Sequence, residues 1–363
     1  MRRARRTTPG RLEPAPGDPD AGLRSTSEVA GVRRLPETPA VLAVRRSVRD
    51  WLAGFAPTGA QEQAVAVGLS GGADSLALTA AAVVEAQAVD ALIVDHRLQP
   101  GSDAVAAEAA AQARFLGCRS VRVLPVTVGA EGGMEAAARR ARYAALDAAR
   151  NGLPVLLGHT LDDQAETVLL GLARGSGGRS IQGMAPFSAP WGRPLLRVHR
   201  DTTRQVCADV GVTPHDDPHN VAPGFTRVRL RLEALPLLEQ ILGGGVAAAL
   251  ARTAEQLRAD GQVLDMLAAD LQQTATEGNE LVVETLATAP GPLRKRAIRS
   301  WLLANGAKAV TTKHLQAIDD LVSAWHGQGA VAVGGGRPDA RLVAGRERGR
   351  LTLRLEENGH RRR

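Results

Sequence analysis

Apolar and polar positions switch between two periods along this chain. Val41 to Phe55 repeats apolar residues at helical spacing, Gln63-Ala-Val-Ala-Val-Gly68 is a short apolar run of strand length, and Leu76 to Ala88 returns to an alanine-rich helix. The alternation continues with Val89 to Val94 as strand, Ala104 to Leu116 as helix, Ser120 to Val126 as strand and Glu135 to Ala149 as helix. Pro154 to Gly158 then reads as strand and Leu161 to Leu172 as helix. Strand and helix in strict alternation predict an α/β fold, a parallel sheet with helices on both faces and ligands at the carboxyl edge.

Beyond Gly175-Ser-Gly-Gly178 the pattern weakens to a proline-broken segment, a helix near Thr202 to Val210, an acidic turn Asp216-Asp-Pro-His-Asn220 and a basic helix from Thr226. Gly243-Gly-Gly245 reads as a hinge, and from Val246 the composition is helical, to about Thr276, from Pro292 to Asn305 and from Thr312 to Trp325. Val331 to Leu355 suggests short strands punctuated by Gly334-Gly-Gly336, while Trp51, Trp301 and Trp325 fall in helices as core residues. The expected domains are a disordered tail (1–37), a catalytic domain (38–244), a smaller mainly helical domain (245–357) and a basic tail (358–363).

Composition narrows the classes. The 363 residues suffice for about two domains, and no apolar run reaches the roughly 20 residues of a membrane span. Met1-Arg2-Arg3-Ala4-Arg5-Arg6 has the twin arginines of an export signal, but the polar, proline-rich stretch behind it lacks the apolar region such a signal needs. Cys118 and Cys207 are isolated, which excludes a zinc or disulfide framework and fits a reducing cytoplasm. The net charge of +7 favours a polyanionic partner.

Candidate chemistry concentrates at two strand ends. Gly68-Leu-Ser70-Gly71-Gly72-Ala73-Asp74-Ser75 joins a strand to a helix, where backbone N–H groups and the helix dipole favour an anion. No Lys stands where a Walker A loop would place one. Asp74 would repel phosphate unless Mg²⁺ or a cationic substrate intervenes. The plainer reading is a strand–helix turn capped by Ser70 or Asp74. The second segment, Gly158-His159-Thr160-Leu161-Asp162-Asp163-Gln164-Ala165-Glu166, puts Asp163 and Glu166 on one helix face. Its plainer reading is Thr160 as N-cap with Asp163 in a capping box. That leaves unexplained a His beside three carboxylates at the edge that carries the phosphate loop.

The loop SGGADS resembles the PP-loop of the N-type ATP pyrophosphatases, adenine nucleotide alpha hydrolase-like enzymes that split ATP between the α- and β-phosphates. The second segment, continued by Leu172-Ala-Arg174-Gly175-Ser-Gly177, resembles the HxxDDQxET…RGSG motif of tRNA(Ile)-lysidine synthetases. The likeness runs in order through Gly133 to Tyr143, Arg193-Pro-Leu-Leu-Arg197, Asp216 to Asn220 and Arg227-Val-Arg-Leu-Arg231, and more loosely through Thr312-Lys-His-Leu315. Asp95-His96 and Arg227-Val228 depart from the HH and RN often found in that family. The length leaves no room for the additional C-terminal domain of longer members.

The resemblance implies a cytoplasmic ligase that joins free L-lysine to carbon 2 of the wobble cytidine in isoleucine tRNA with a CAU anticodon, using ATP and Mg²⁺ through an adenylated intermediate. It implies catalytic roles for Asp74, His159, Asp163 and Glu166, with Asp74 and Asp163 as metal ligands. It places ATP on Ser70 to Ser75 with Arg174 and Gly175, and RNA on Arg139, Arg142, Arg197, Arg227 and Arg231. The basic cluster Arg294-Lys295-Arg296 adds a candidate for holding the tRNA body. Two competitors stand beside it. A PP-loop tRNA thiolase would need clustered cysteines, and a non-catalytic RNA-binding protein would use the carboxylates only as helix caps.

Overall fold

The buried residues of α1 (Pro39–Phe55) are Val41, Val44, Val48, Trp51 and Leu52, one face of a 3.6-residue repeat. β1 (Ala64–Gly68) is buried along nearly its whole length, as a central parallel strand must be. Its alternation is strict: Val65 and Val67 join the core on one side of the sheet, Ala66 the core on the other. The chain continues through α2 (Ala73–Glu85), β2 (Ala88–Asp95), α3 (Ser102–Leu116), β3 (Ser120–Pro125), α4 (Met134–Ala149), β4 (Val155–Leu156) and α5 (Leu161–Ala173). A 3₁₀ turn (Gly178–Ile181), the two-residue strands β5 (Phe187–Ser188) and β6 (Trp191–Gly192), and α6 (Arg200–Val210) complete this part.

The computed structural model describes residues 34–55, 63–129, 133–175, 177–217, 224, 226–337 and 339–357. Both expected tails lie outside them except for residues 34–37, and so do Ser176, Pro218, His219 and Asn220 of the motifs. Leu35, ahead of the expected boundary at 38, packs in the core.

The sheet runs β3-β2-β1-β4-β6-β5 and is parallel except for the β5–β6 pair. Residues of α1, α2, α3 and α6 cover one face, and Leu146 and Ala149 of α4 cover the other. From β1 the connections run outward on one side to β2 and β3, then return to β4 on the other. The strand order therefore reverses between β1 and β4, where an open α/β sheet leaves a crevice for ligands. Register puts Val67 beside Leu156, so the loops after these strands are neighbours.

The second part opens with α7 (Thr226–Arg229), a π-helical turn (Leu230–Ala234) and α8 (Leu235–Leu242). At Gly243-Gly-Gly245 the chain bends by 96° into α9 (Val246–Ala275). The expected hinge is a capped corner: the Glu239 carboxylate accepts the N–H groups of Val246 and Ala247 at 3.0 and 2.9 Å. Ala247 on α9 joins Leu161, Ala165 and Leu235 in a small core, and α9 also packs on α11 (Gly291–Ala304). The expected division near Gly244 thus precedes a helix that serves both lobes.

The second lobe is mainly helical, with α10 (Val283–Ala287), α11 and α12 (Thr312–Ser323) around Ile298, Trp301 and Leu302. It also holds an antiparallel sheet of β7 (Thr276–Glu277), β8 (Glu280–Val282), β9 (Val331–Arg337), β10 (Ala340–Glu347) and β11 (Arg350–Glu357), in the order β7-β8-β11-β10-β9. Gly334 to Gly336 lie inside β9 rather than between strands. A Cβ there would stand 2.2–2.4 Å from the carbonyl oxygens of Lys308, Gly306 and Ala340, so close backbone approach explains the glycines. Trp325 is not core: it follows α12, is 42% exposed and lies under the Arg346 guanidinium. Among the described residues no single helix is long and apolar enough to cross a membrane.

Candidate active site

The loop after β1 is held by its own hydroxyls. Ser75 Oγ donates to the Gly72 carbonyl at 2.9 Å, accepts the Ser70 N–H at 3.2 Å and lies 3.1 Å from Ser70 Oγ. The N-cap of α2 is Gly72, with no side-chain cap, so neither Ser70 nor Asp74 plays the capping role of the plainer reading. The first-turn amides of α2 are therefore left without side-chain acceptors, as an anion site needs. His215 closes the loop from the far side, its N–H donating to the Gly71 carbonyl at 2.9 Å.

The loop after β4 is built the opposite way. Thr160 and Asp163 form a complete capping box on α5: Asp163 Oδ2 accepts the Thr160 N–H at 2.8 Å and Thr160 Oγ1 accepts the Asp163 N–H at 3.4 Å. Here the plainer reading holds for one oxygen of Asp163, and that helix N-terminus is filled. Gly158 lets the two loops touch, since a Cβ there would stand 2.9 Å from the Asp74 backbone carbonyl.

Arg200, which no sequence motif singled out, ties the carboxylates together. Its guanidinium lies 2.5 Å from Asp163 Oδ1, 3.4 Å from Asp74 Oδ2 and 3.7 Å from Glu166 Oε1, and its backbone N–H donates to Asp162 Oδ2 at 2.8 Å. Arg231 adds a second cation, 2.8 Å from Glu166 Oε1 and 3.5 Å from Asp163 Oδ1. Thr203 donates to Asp74 Oδ1. Arg231, expected on RNA, is thus engaged inside the site, brought there by the π-helical turn.

Three carboxylates here meet two guanidinium groups, those of Arg200 and Arg231. Burial raises Asp74 above the ordinary carboxylate range despite Thr203 and Arg200. Burial also raises Glu166, whose Oε2 has no partner and which is sealed behind Arg231, off the cavity surface. Burial pushes Asp163 upward too, but Arg200, the Thr160 N–H, His159 and Arg231 outweigh it and hold the carboxyl low. His159 is driven down to about 4 by burial, so it is neutral near pH 7, and its Nδ1 has no partner.

One cavity of about 580 Å³ has Ser70, Gly72, Ala73, Asp74, Ser75, His159, Asp163, Arg200 and Arg231 on its wall. Arg142 joins them, its guanidinium held below its usual range by burial. It was expected on RNA and instead faces the phosphate loop. Arg139 lies outside the cavity, over the Tyr143 ring at 4.9 Å, and Arg197 is exposed and paired with Glu255 of α9. Arg227 is half-buried on α7 and does not line the cavity. Arg174 and Gly175, expected on ATP, do not line it either; they stand beyond the far end of α5, 13 residues and about 20 Å from its start. Asp95 accepts the Arg97 N–H at 3.0 Å, a turn contact with its own backbone two residues on.

Residues 44–238 match the family described as PP-loop domain, and residues 281–352 match the TilS substrate binding domain. The tRNA(Ile)-lysidine synthase of Nocardia farcinica is 71% identical over 313 residues, 86% of this chain and 98% of that one. That of Rhodococcus erythropolis is 66% identical over 323 residues, 89% of this chain and 98% of that one. Among solved structures, the U34-tRNA thiolase NcsA from Methanococcus maripaludis aligns with TM-score 0.47 and 18% identity over 60% of this chain and 79% of its own, too loose a likeness to carry an argument.

Proposed function

The chain belongs to the tRNA(Ile)-lysidine synthase family, and from that premise we propose that it joins free L-lysine to carbon 2 of the wobble cytidine of CAU-anticodon isoleucine tRNA. It is an ATP-dependent ligase that forms a carbon–nitrogen bond and turns an AUG-reading anticodon into an AUA-reading one. Acting on tRNA, it works in the cytoplasm. One observation carries the reading: an uncapped helix N-terminus fit for phosphate and a cluster of carboxylates share one cavity. A nucleotide and an amine are the ligands such a cavity suits.

Oxide cannot leave carbon 2 of cytosine, so the oxygen is first made a leaving group. It attacks the α-phosphorus of ATP; the new O–P bond forms as the bond to the β-phosphate oxygen breaks, and pyrophosphate departs into the Ser70–Ser75 loop. The loop's amides hold the departing charge, and Arg142, free of any carboxylate partner among the described residues, supplies a cation against the same loop. Lysine then attacks carbon 2 through its ε-nitrogen, and AMP leaves with the former cytosine oxygen.

The ε-ammonium, with a pKa of about 10.4 in water, must lose a proton before attack. Asp163, on the cavity wall and held ionised, orients the ammonium. Glu166 is the better proton acceptor, because burial raises its carboxyl and Oε2 is unused; it becomes reachable when the incoming ammonium displaces Arg231. Mg²⁺ needs only one or two carboxylates besides phosphate oxygens, and Asp74, beside the loop, would be its ligand, whereas both oxygens of Asp163 are already engaged by Thr160 and by Arg200 and Arg231. Bound there, the ion would neutralise the phosphates. Neutral His159 contributes a hydrogen-bonding wall and no charge.

No observation favours thiolation: Cys207 is buried with its thiol on the Ala73 carbonyl, and it lines no part of the cavity. The proposal is tested by omitting lysine. With ATP and tRNA alone, adenylated tRNA should accumulate with matching pyrophosphate, and added lysine should release AMP. Pyrophosphate release that ignores tRNA would overturn it.

A further inference from the structure

Gln164 stands in the DDQxET segment between Asp163 and Glu166, yet it lines no part of the cavity at that end of α5. A helix turns by about 100° per residue, which aims Gln164 away from both carboxylates. It is 3% exposed, and its amide is paired at both atoms, as a buried amide must be: Nε2 donates to the Met184 carbonyl at 2.9 Å and Oε1 accepts the Met184 N–H at 2.6 Å. Two bonds to one residue fix orientation as well as distance. Gly183, at φ +60°, leaves the amide its room, since a Cβ there would stand 2.5 Å from Gln164 Oε1.

Met184 ends a short segment, 178–184, that runs between α5 and α9. On the α5 side, Ser180 Oγ donates to the Gly171 carbonyl at 3.2 Å, and a Cβ on Gly171 would stand 2.0 Å from the Ser180 carbonyl oxygen, so the two backbones meet directly. On the α9 side, Gln182 Nε2 donates to the Leu257 carbonyl at 3.1 Å and Arg258 donates to the Gln182 carbonyl. Arg179 lies 2.5 Å from Asp265 of α9, which also holds Arg296 of α11. Gly261 makes space for Gln182 on that helix, where a Cβ would stand 2.4 Å from the amide nitrogen.

The phosphate half of the site is held differently. Its loop is bonded to itself and to His215, and Asp74 to Thr203 and Arg200, all within the first lobe. The carboxylates of α5 are thus the part of the site tied to α9, the helix that serves both lobes. We propose that Gln164 is a positioning residue for the amine step: it holds α5 against the 178–184 segment, and through it against α9, in the register at which Asp163 and Glu166 receive the lysine ε-ammonium. The proposal rests on the reading of those carboxylates as the lysine site.

Cuts at opposite ends of the link test it. Gln164→Met keeps the length of the side chain and removes both bonds to Met184. Gln182→Ala with Arg258→Met frees the segment from α9 outside the cavity, and strands no carboxylate because Glu255 is paired with Arg197. Adenylated tRNA is formed first from ATP and tRNA, and lysine is then added in a single turnover. In Gln164→Met the displacement of AMP should slow about 100-fold, the scale on which a misplacement of about 1 Å acts when it is set from outside the chemistry. Pyrophosphate release in the first stage should keep its rate, because Thr203 holds Asp74 independently of α5. The α9-side variant should slow the same step, and the two combined should be no slower than Gln164→Met alone, since links of one chain do not add. A residue that served folding alone would lower melting temperature and both stages together. Equal loss in both stages, or losses that multiply in the combined variant, would overturn the proposal. The unaltered chain separates this from the reading beneath it. If it forms adenylated tRNA but takes no lysine, that reading falls and the proposal with it; if it forms lysidine and the variants slow both stages alike, the proposal alone falls.

Discussion

Arg200 holds three carboxylates that would otherwise repel one another in a half-sealed pocket. Removing one partner of such a cluster leaves uncompensated buried charge, at a cost of about 3–5 kcal/mol. Arg200→Met should therefore lower stability by about 3 kcal/mol in urea and cut lysidine formation by about 100-fold. Arg200→Lys should recover little of either, because one ammonium cannot span Asp74, Asp163 and Glu166. A stable, fully active Arg200→Met would remove it from the account. Asp74→Asn should fold but release no pyrophosphate, a neutral amide being a poor Mg²⁺ ligand; normal release would contradict the role given to Asp74. Burial pushes the Cys118 thiol up to about 12 and Cys207 up to about 11. Above pH 9 the unfolded thiols ionise while the folded ones keep their protons, so the stability they contribute is lost as pH rises from 9 toward 12. Cys118→Ala should flatten that alkaline fall in melting temperature while leaving activity intact; loss of activity would reopen the thiolase reading. The phosphate loop and the Asp163–Glu166 face were legible because each is local. Arg200 was not, since it lies between two segments read for other reasons and acts only once α6 meets α2 and α5. The available signal was indirect: three acids gathered at one sheet edge require a counter-charge.

Helices were legible at the scale of elements because each repeats an apolar face over many residues. The two-residue strands β5 and β6 carry no period, and β9 was broken at glycines that the structure needs for close backbone contact. The corner at Gly243 also has consequences that composition did not reveal. A chain ending at Gly244 loses Ala247 and the rest of α9 from the small core around Leu161, Ala165 and Leu235. That truncation should give low soluble yield and bind a hydrophobic dye, whereas a chain ending at Ala275 keeps this cover. Equal solubility and equal dye binding would show that α9 does not stabilise the first lobe. Gly158→Ala tests the contact between the two site loops. Its Cβ would meet the Asp74 backbone at 2.9 Å, and such overpacking costs about 1–3 kcal/mol. Melting temperature and ATP affinity should fall together; an unchanged ATP affinity would mean the loops are not held by that contact.

For the molecule as a whole, the sheet class and two-lobed division were readable from alternation and its loss after Gly243. Which surfaces of the lobes face each other was not, because the contacts of α9 with α5 and α11 join residues far apart in the chain. That is why Arg174 and Gly175, adjacent in sequence to the catalytic helix, were expected on ATP and stand instead in a basic cavity between the lobes. The whole arrangement puts a phosphate-and-amine cavity at the strand switch point and this basic cavity between the lobes. The central claim is that lysine is the nucleophile at an adenylated cytidine. Mass spectrometry of nucleosides from CAU-anticodon isoleucine tRNA, after incubation with the protein, ATP and isotopically labelled lysine, tests it most directly. The account predicts one cytidine per tRNA heavier by labelled lysine less one water, formed only when ATP is present. An unmodified cytidine, or one that has gained sulfur, would contradict it.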